Sequence, residues 1–255
     1  MKLKKILGID IGGSGVKGAI VNTKKGKLIT GRYRIPTPQP ATPEAVAEVI
    51  KKIARHFDWD GPIGAGFPGV MQQGIARTAA NVDKSWIDKD LNKLFSNATG
   101  CRVHVVNDAD AAGMAEAKFG AGKGEKGTIM LITVGTGLGT VIFTNGRLVP
   151  NLEFGHVILN GMDAETYTSD AARKRDKLDW KSWAGRFNEY LLYIEALFWP
   201  DKIIIGGGAS KRPENFFPYL TVKAKVVPAR LKNEAGIVGA AMVSKYYNKQ
   251  QKKQG

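Results

Sequence analysis

Residues 6–22 read ILGIDIGGSGVKGAIVN: two apolar runs around a knot of glycines, with Asp10 just before the knot and Lys17 just after it. Glycines at the end of a buried strand usually signal a dinucleotide site, but that motif requires a helix to follow. Here another apolar strand follows, and a third stretch comes after the turn TKKGK. The pattern therefore predicts an antiparallel meander, with strands over 4–11, 16–22 and 27–34 joined by tight turns. Asp10 then stands at the end of a buried strand, beside a loop that has almost no side chains.

The same device returns later. ITVGTGLGTVIF, within predicted strands 128–134 and 138–145, repeats the plan of IDIGGSGVKGAIV: apolar strand, glycine hairpin, apolar strand. Either hairpin alone reads as an ordinary tight turn. Two of them, with a third glycine run at Gly206, Gly207 and Gly208 after a strand over 201–205, favour a phosphate site. Glycines let backbone N–H groups close around an anion, and a neighbouring acid such as Asp10 can hold Mg²⁺ or its water shell. Between the hairpins, Val46, Val49, Ile50 and Ile53 fall at helical spacing within 43–57. Strands over 62–67 and 102–106 follow, the second closed by Asn107 and Asp108 and succeeded by an alanine-rich helix over 110–119. A long amphipathic helix over 180–199 and a C-terminal helix through Ala240 and Val243 complete the reading.

Composition sets the outer bounds. A chain of 255 residues, 43% hydrophobic with 31 glycines, suits an α/β globular protein of one large or two modest domains. No apolar stretch approaches the roughly 18 residues needed to span a bilayer, so no membrane partner is expected. The opening MKLKKILGID reaches Asp10 too early for a signal peptide, which predicts a cytoplasmic protein. Cys101 is the single cysteine, which excludes a disulfide framework and a cysteine-rich zinc cluster. The net charge of +15 implies a polyanionic partner or simply a basic surface. The lysines are scattered and no nucleic-acid motif accompanies them, so nucleic acid is not expected.

Asp10, Gly12, Gly13, the pair Asn107–Asp108, TVGTGLG, EFGH (153–156) and IIIGGGAS, in this order, resemble the signatures of the ROK sugar kinases. The stretches DIGGSGVKGA, FTNGRLVPNLEFGH and DAETYTSDAARKR are similar to the polyphosphate-using glucokinases within that family. The resemblance implies a two-domain α/β fold of the actin-like ATPase type, shared with hexokinase and Hsp70 and ribonuclease H-like, with a ligand cleft between domains. The expected domains are 1–108 plus 238–255, and 109–237.

The resemblance also implies roles. Asp108 becomes the general base for the sugar hydroxyl; on its residue type and place it could equally cap a helix, and Asp110, in the first turn, is assigned to helix polarity. Glu153 and His156 become contacts to glucose hydroxyls. Glu165, followed by Thr166, Tyr167, Thr168 and Ser169, matches a sugar-binding glutamate that in many relatives follows a cysteine-rich zinc segment. The cysteines are missing here, so no zinc is expected, and what braces that loop is left open. Asn81 and Asn107 are further glucose contacts or turn residues. Gly12, Gly13, Ser14, Lys17, Thr133, Gly135, Thr136, Gly137 and Gly207 are expected around the phosphates, Lys17 having the alternative of a solvated strand residue. Asp10 is expected to serve Mg²⁺. The implied reaction moves phosphate from inorganic polyphosphate to the 6-hydroxyl of glucose, with ATP as the alternative donor. Lys118, Lys123, Lys126, Lys211 and Arg212 then form a candidate track for the polyanion, and a homodimer is the expected assembly.

Overall fold

Strand β1 (Lys5–Gly12) carries Ile6, Leu7, Ile9 and Ile11 with essentially no exposure, so it is covered on both faces and belongs at the centre of a sheet. In the computed structural model, which describes residues 4–79 and 83–254, it is such a strand. It pairs antiparallel with β2 (Gly15–Asn22) and parallel with β5 (Ile63–Phe67), and β5 pairs parallel with β8 (Val103–Asn107). Two short strands, β3 (Lys27–Leu28) and β4 (Tyr33–Ile35), continue the sheet from β2. The sequence predicts a single strand over 27–34; the structure breaks it. Ile20 N donates to Thr30 Oγ1 at 3.1 Å, so a side chain takes the place of a backbone carbonyl and the ladder is interrupted.

Helix α1 (Pro43–His56) forms as its spacing predicts, with Thr42 as N-cap, Pro43 in the first turn, and Val46, Val49, Ile50 and Ile53 buried. Between β5 and β8 lie a small hairpin, β6 (Met71–Gln72) with β7 (Ile75–Ala76), and helix α2 (Leu91–Thr99). Strand β8 is an edge of the sheet, and α2 satisfies part of it: Val105 N donates to Asn92 Oδ1 at 2.8 Å and Val103 N to Ser96 Oγ at 3.0 Å. Helix α3 (Asp108–Phe119) begins at Asp108, two residues earlier than predicted, because Asn107 Oδ1 accepts from Asp110 N and caps it.

The chain divides into two compact units, one of residues 1–115 and 234–255, the other of residues 116–233. The second unit repeats the strand plan. Strands β9 (Thr128–Val134), β10 (Leu138–Thr144) and β11 (Arg147–Leu152) form an antiparallel meander, and β14 (Lys202–Gly207) and β15 (Lys225–Pro228) add parallel to β9. The order β11-β10-β9-β14-β15 reproduces β3-β2-β1-β5-β8, which is the recurrence the two glycine hairpins announce. A two-residue hairpin of β12 (Ile158–Leu159) and β13 (Met162–Asp163) leads to short helices α4 (Ala164–Thr168) and α5 (Asp170–Arg175). Helix α6 (Trp180–Phe198) then lays Trp183, Phe187, Tyr190, Leu191 and Ile194 into a core with Met130, Ile132, Ile203 and Ile205.

The chain finally returns to the first unit in α7 (Ala235–Gln254). Its backbone runs directly over the sheet: a Cβ on Gly8 would strike Ile237 O, and one on Gly64 would strike Ala240 O. Only glycine permits that approach. Among the described residues, no helix is long and apolar enough to cross a membrane.

Candidate active site

In the first unit the predicted residues gather at the β1–β2 turn and at the β8–α3 junction. Asp10 and Lys17 are cross-strand partners, and their side chains form an ion pair at 3.5 Å. Gly12 faces Gly15 across the turn, with Gly13 and Ser14 exposed at its tip. Two side chains fix the turn's carbonyls: Thr37 Oγ1 donates to Gly12 O and Arg34 Nη2 to Ser14 O, both at 2.5 Å. Arg34 is thus a second cation at this loop, and nothing in the sequence singles it out. Asp10 also lies against the start of α7, where a Cβ on Gly236 would stand 3.2 Å from its carboxylate.

At the β8–α3 junction, Asn107 engages backbone at both ends of its amide, accepting from Asp110 N at 2.9 Å and donating to Gly69 O at 3.1 Å. Capping therefore falls to Asn107. Asp108 is half-buried at the helix start, its Oδ1 accepting from Ala109 N at 2.7 Å. Asn81 lies outside the described residues.

In the second unit a bulge sets the geometry. Thr140 pairs with Leu152 but Ile142 with Val149, so β11 carries an extra residue around Pro150 and Asn151, the latter at φ 58°. The strand thereby turns into the segment Phe154–His156, which is held from two sides: Phe154 N donates to Thr140 Oγ1 at 3.1 Å, and Tyr190 of α6 donates to Phe154 O at 3.2 Å. Gly155 packs on Leu138 with no room for a Cβ. Three acids converge on His156. Asp163 Oδ2 lies 2.8 Å from Nδ1, Glu153 Oε2 lies 3.9 Å from Nε2, and Glu165 adds its charge. Burial alone would lower the His156 pKa, but the Asp163 hydrogen bond and the charges of Glu165, Asp163 and Glu153 outweigh it and hold the pKa above 6.5. Burial pushes the Glu153 carboxyl above its ordinary value; His156 opposes this and Glu165 adds to it.

Glu165 is bonded to the glycine hairpin as well. Its Oε2 accepts from Leu138 N at 2.9 Å, and its carboxylate fills the space a Cβ on Gly137 would need. The hairpin loop is further held by Gly135 N on Gly137 O at 3.0 Å and by Ala171 N on Gly135 O at 3.2 Å. Thr133 is half-buried on β9 and Thr136 exposed in the loop; Gly207 ends β14 opposite Val134 at φ 74°. Lys118, Lys123, Lys126, Lys211 and Arg212 are all exposed in this unit. Asp163 is the residue that sequence reasoning missed, although Asn160–Gly161 two residues before it is a strong two-residue hairpin signal. Among the described residues, no three His, Cys, Asp or Glu side chains gather as a metal site.

Residues 6–172 match the sequence profile of the ROK family. The chain belongs to the ROK family. Within it, the polyphosphate glucokinase of Mycobacterium tuberculosis is 46% identical over 238 residues, 93% of this chain and 90% of that protein. The crystal structure of the inorganic polyphosphate/ATP-glucomannokinase from Arthrobacter sp. strain KM superposes with a TM-score of 0.90 at 48% identity, covering 95% of this chain and 99% of that one. A ROK family glucokinase from Streptomyces griseus, at 24% identity, shares the fold with a TM-score of 0.77 over 94% of this chain and 98% of its own. These likenesses extend the ROK plan across both units of the chain.

Proposed function

We propose that this ROK protein transfers the terminal phosphoryl group of inorganic polyphosphate to the 6-hydroxyl of glucose, giving glucose 6-phosphate. The observation that carries the reading is similarity at 46–48% identity, over more than nine-tenths of the chain, to proteins named for polyphosphate-dependent sugar phosphorylation. The Arthrobacter protein is named for ATP and for glucose and mannose together, so ATP is the second donor to test and mannose the second acceptor.

Phosphoryl transfer has a loose transition state and asks mainly for positioning and charge neutralisation. Asp108, a carboxylate at the end of β8, takes the proton of the attacking hydroxyl. Glu153, His156 and Glu165 bind ring hydroxyls, the carboxylates accepting and the imidazole accepting or donating according to its charge; Asn81 and Asn107 complete the sugar set. The glycine turns at Gly12–Ser14 and Gly135–Gly137, with Lys17, Thr133, Thr136 and Gly207, serve the phosphates. A single carboxylate fits Mg²⁺, which keeps several waters and takes its remaining ligands from substrate phosphates; Asp10 would hold it, and the ion would neutralise developing charge. Lys17 forms an ion pair with Asp10, which places its ammonium group beside the same glycine turn. The exposed Leu192, Tyr193 and Leu197 on α6, with Trp199 at its end, support a homodimer, and the single buried cysteine agrees with the reducing cytoplasm.

The test is a glucose phosphorylation assay with graded polyphosphates and ATP run side by side at several salt concentrations. Polyphosphate KM should fall with chain length and rise steeply with salt, since each exposed lysine engaged releases counterions, while ATP should respond weakly. Faster turnover with ATP than with long polyphosphate at moderate salt, or a donor KM indifferent to chain length, would refute the polyphosphate assignment.

A further inference from the structure

The hairpin β12–β13 contributes little to packing. Of its four strand residues only Leu159 is buried; Ile158 is 64% exposed and Met162 46%. Its turn, Asn160–Gly161, has φ of 53° and 77°, positive at both central positions, which reverses the chain in two residues. The result is to bring Asp163 opposite Ile158 and back onto His156, seven residues earlier in the chain. Asp163 then does two things with one carboxylate. Oδ2 meets His156 Nδ1 at 2.8 Å, and Oδ1 accepts from Thr166 N at 3.1 Å, capping α4, whose first turn carries Glu165. Two backbone links tie the same corner: Thr166 Oγ1 donates to Asp163 O at 2.8 Å, and Ala164 N donates to Val157 O at 2.9 Å.

We propose that Asp163 is a positioning residue for sugar recognition: it fixes the proton of His156 on Nδ1 and holds the ring of His156 and the carboxylate of Glu165 in one frame. The proposal rests on His156 and Glu165 being sugar contacts. A neutral imidazole has one donor and one acceptor nitrogen, and the partner on one nitrogen decides the role of the other. With a carboxylate on Nδ1, the neutral ring carries its proton there and offers Nε2 as an acceptor to a hydroxyl. Without Asp163 the proton is distributed between the nitrogens, and a fraction of the rings would present the wrong one. This also supplies the brace that the missing cysteine segment leaves open: a carboxylate, not a metal, ties the loop after EFGH to the glutamate that follows it.

The experiment uses the full chain with ¹⁵N-labelled histidine, the His156 signals being assigned among the three histidines by His156→Gln. Asp163, Glu153 and Glu165 are the charged groups that act on this ring, so its titration is read in wild type, Asp163→Ala and Asp163→Asn. In wild type above the titration midpoint, the ¹⁵N shifts should report a single Nδ1–H tautomer. Asp163→Ala should give mixed tautomers, a lower midpoint, and a glucose KM raised about tenfold or more with kcat changed much less. Asp163→Asn has one acceptor oxygen where Asp163 uses two: with that oxygen kept on Thr166 N its amide NH2 faces Nδ1, so the neutral ring should turn to the Nε2–H form, with a raised glucose KM and a lower midpoint although the cap of α4 is retained. A wild-type ring in the Nε2–H form, or an Asp163→Ala variant with unchanged tautomer or unchanged KM, would overturn the proposal. Should Asp163→Ala fail to fold, the wild-type tautomer and the Asp163→Asn midpoint still decide it, an unchanged midpoint refuting it. The tautomer is measured without turnover; a chain that phosphorylates no glucose with either donor would refute the kinase reading and leave this measurement intact.

Discussion

Gly137 and Glu165 offer a sharp test of how the second glycine loop is held. A methyl group at position 137 would overlap Glu165 Oε2 and stand 2.8 Å from its Cδ, so Gly137→Ala must drive that carboxylate off Leu138 N. The lost bond is a charge-assisted one, about 1.5–3 kcal/mol when its partner is stranded. Because the contact is only part-buried, about 2 kcal/mol is the reasonable figure for the bond and the residual strain together, a shift of roughly 30-fold in the unfolding equilibrium. Glu165→Ala removes the same bond and also empties the space. In that background Gly137→Ala should cost little, giving a coupling of about 2 kcal/mol between two residues that each variant damages alone. Gly135 is the control: nothing lies within 4 Å of a Cβ there, and its φ is not in the left-handed region, so Gly135→Ala should change stability by less than about 0.5 kcal/mol. Urea unfolding followed by tryptophan fluorescence, which reports Trp180, Trp183 and Trp199 in this unit, measures all four variants. If Gly137→Ala and Glu165→Ala add within about 0.5 kcal/mol, the two residues are not in contact as described and the loop is braced by something else.

Asp108→Asn should bind glucose with unchanged Kd while kcat falls by a factor on the order of 10² or more; turnover within about threefold of wild type would move the search for the base to Asp110. Because His156 has a folded pKa above 6.5, its contribution to stability is complete below that value and is lost as pH rises through the folded pKa. The melting temperature of wild type relative to His156→Gln should therefore fall as pH rises above 6.5, and a rise would contradict the carboxylate cluster. Gly64→Ala, which sets a Cβ against the backbone of α7, should cost about 3 kcal/mol or more in urea unfolding, whereas Gly31→Ala, with open space around it, should be near neutral.

The strands that frame the site were legible because they are apolar runs closed by glycine, and because the same run occurs twice. Other elements were hidden for identifiable reasons. Strand β11 contains Pro150, which argues against a strand, and it survives because β11 is the edge of its sheet and the proline sits in a bulge. Helix α2 buries only Leu91 and Phe95, too few apolar residues to show a period in a segment rich in Asn, Ser and Thr. The break in the third strand depends on a hydrogen bond from Ile20 N to the Thr30 hydroxyl, which pattern alone does not encode. Among site residues, Glu153, His156 and Glu165 could be named from the chain, but their mutual geometry required the reversal at Asn160–Gly161. The capping role of Asn107, rather than Asp108, likewise follows only from which amide each side chain faces.

The return of α7 to the first unit has a consequence for how the protein is made. A ribosome delivers this helix only after the whole of residues 116–233 has emerged. The second unit is continuous in the chain and can be completed while synthesis is still under way. The first unit cannot: strands β1 and β5 receive the helix that lies over Gly8 and Gly64 only after the second unit has been made. The order of completion is therefore the reverse of the order of birth. Until α7 emerges, the sheet of the first unit lacks the helix that lies over Gly8 and Gly64 and presents apolar surface there, the kind that chaperones hold and that aggregates when they do not. Termination anywhere before Ala235 leaves that surface without its cover for good.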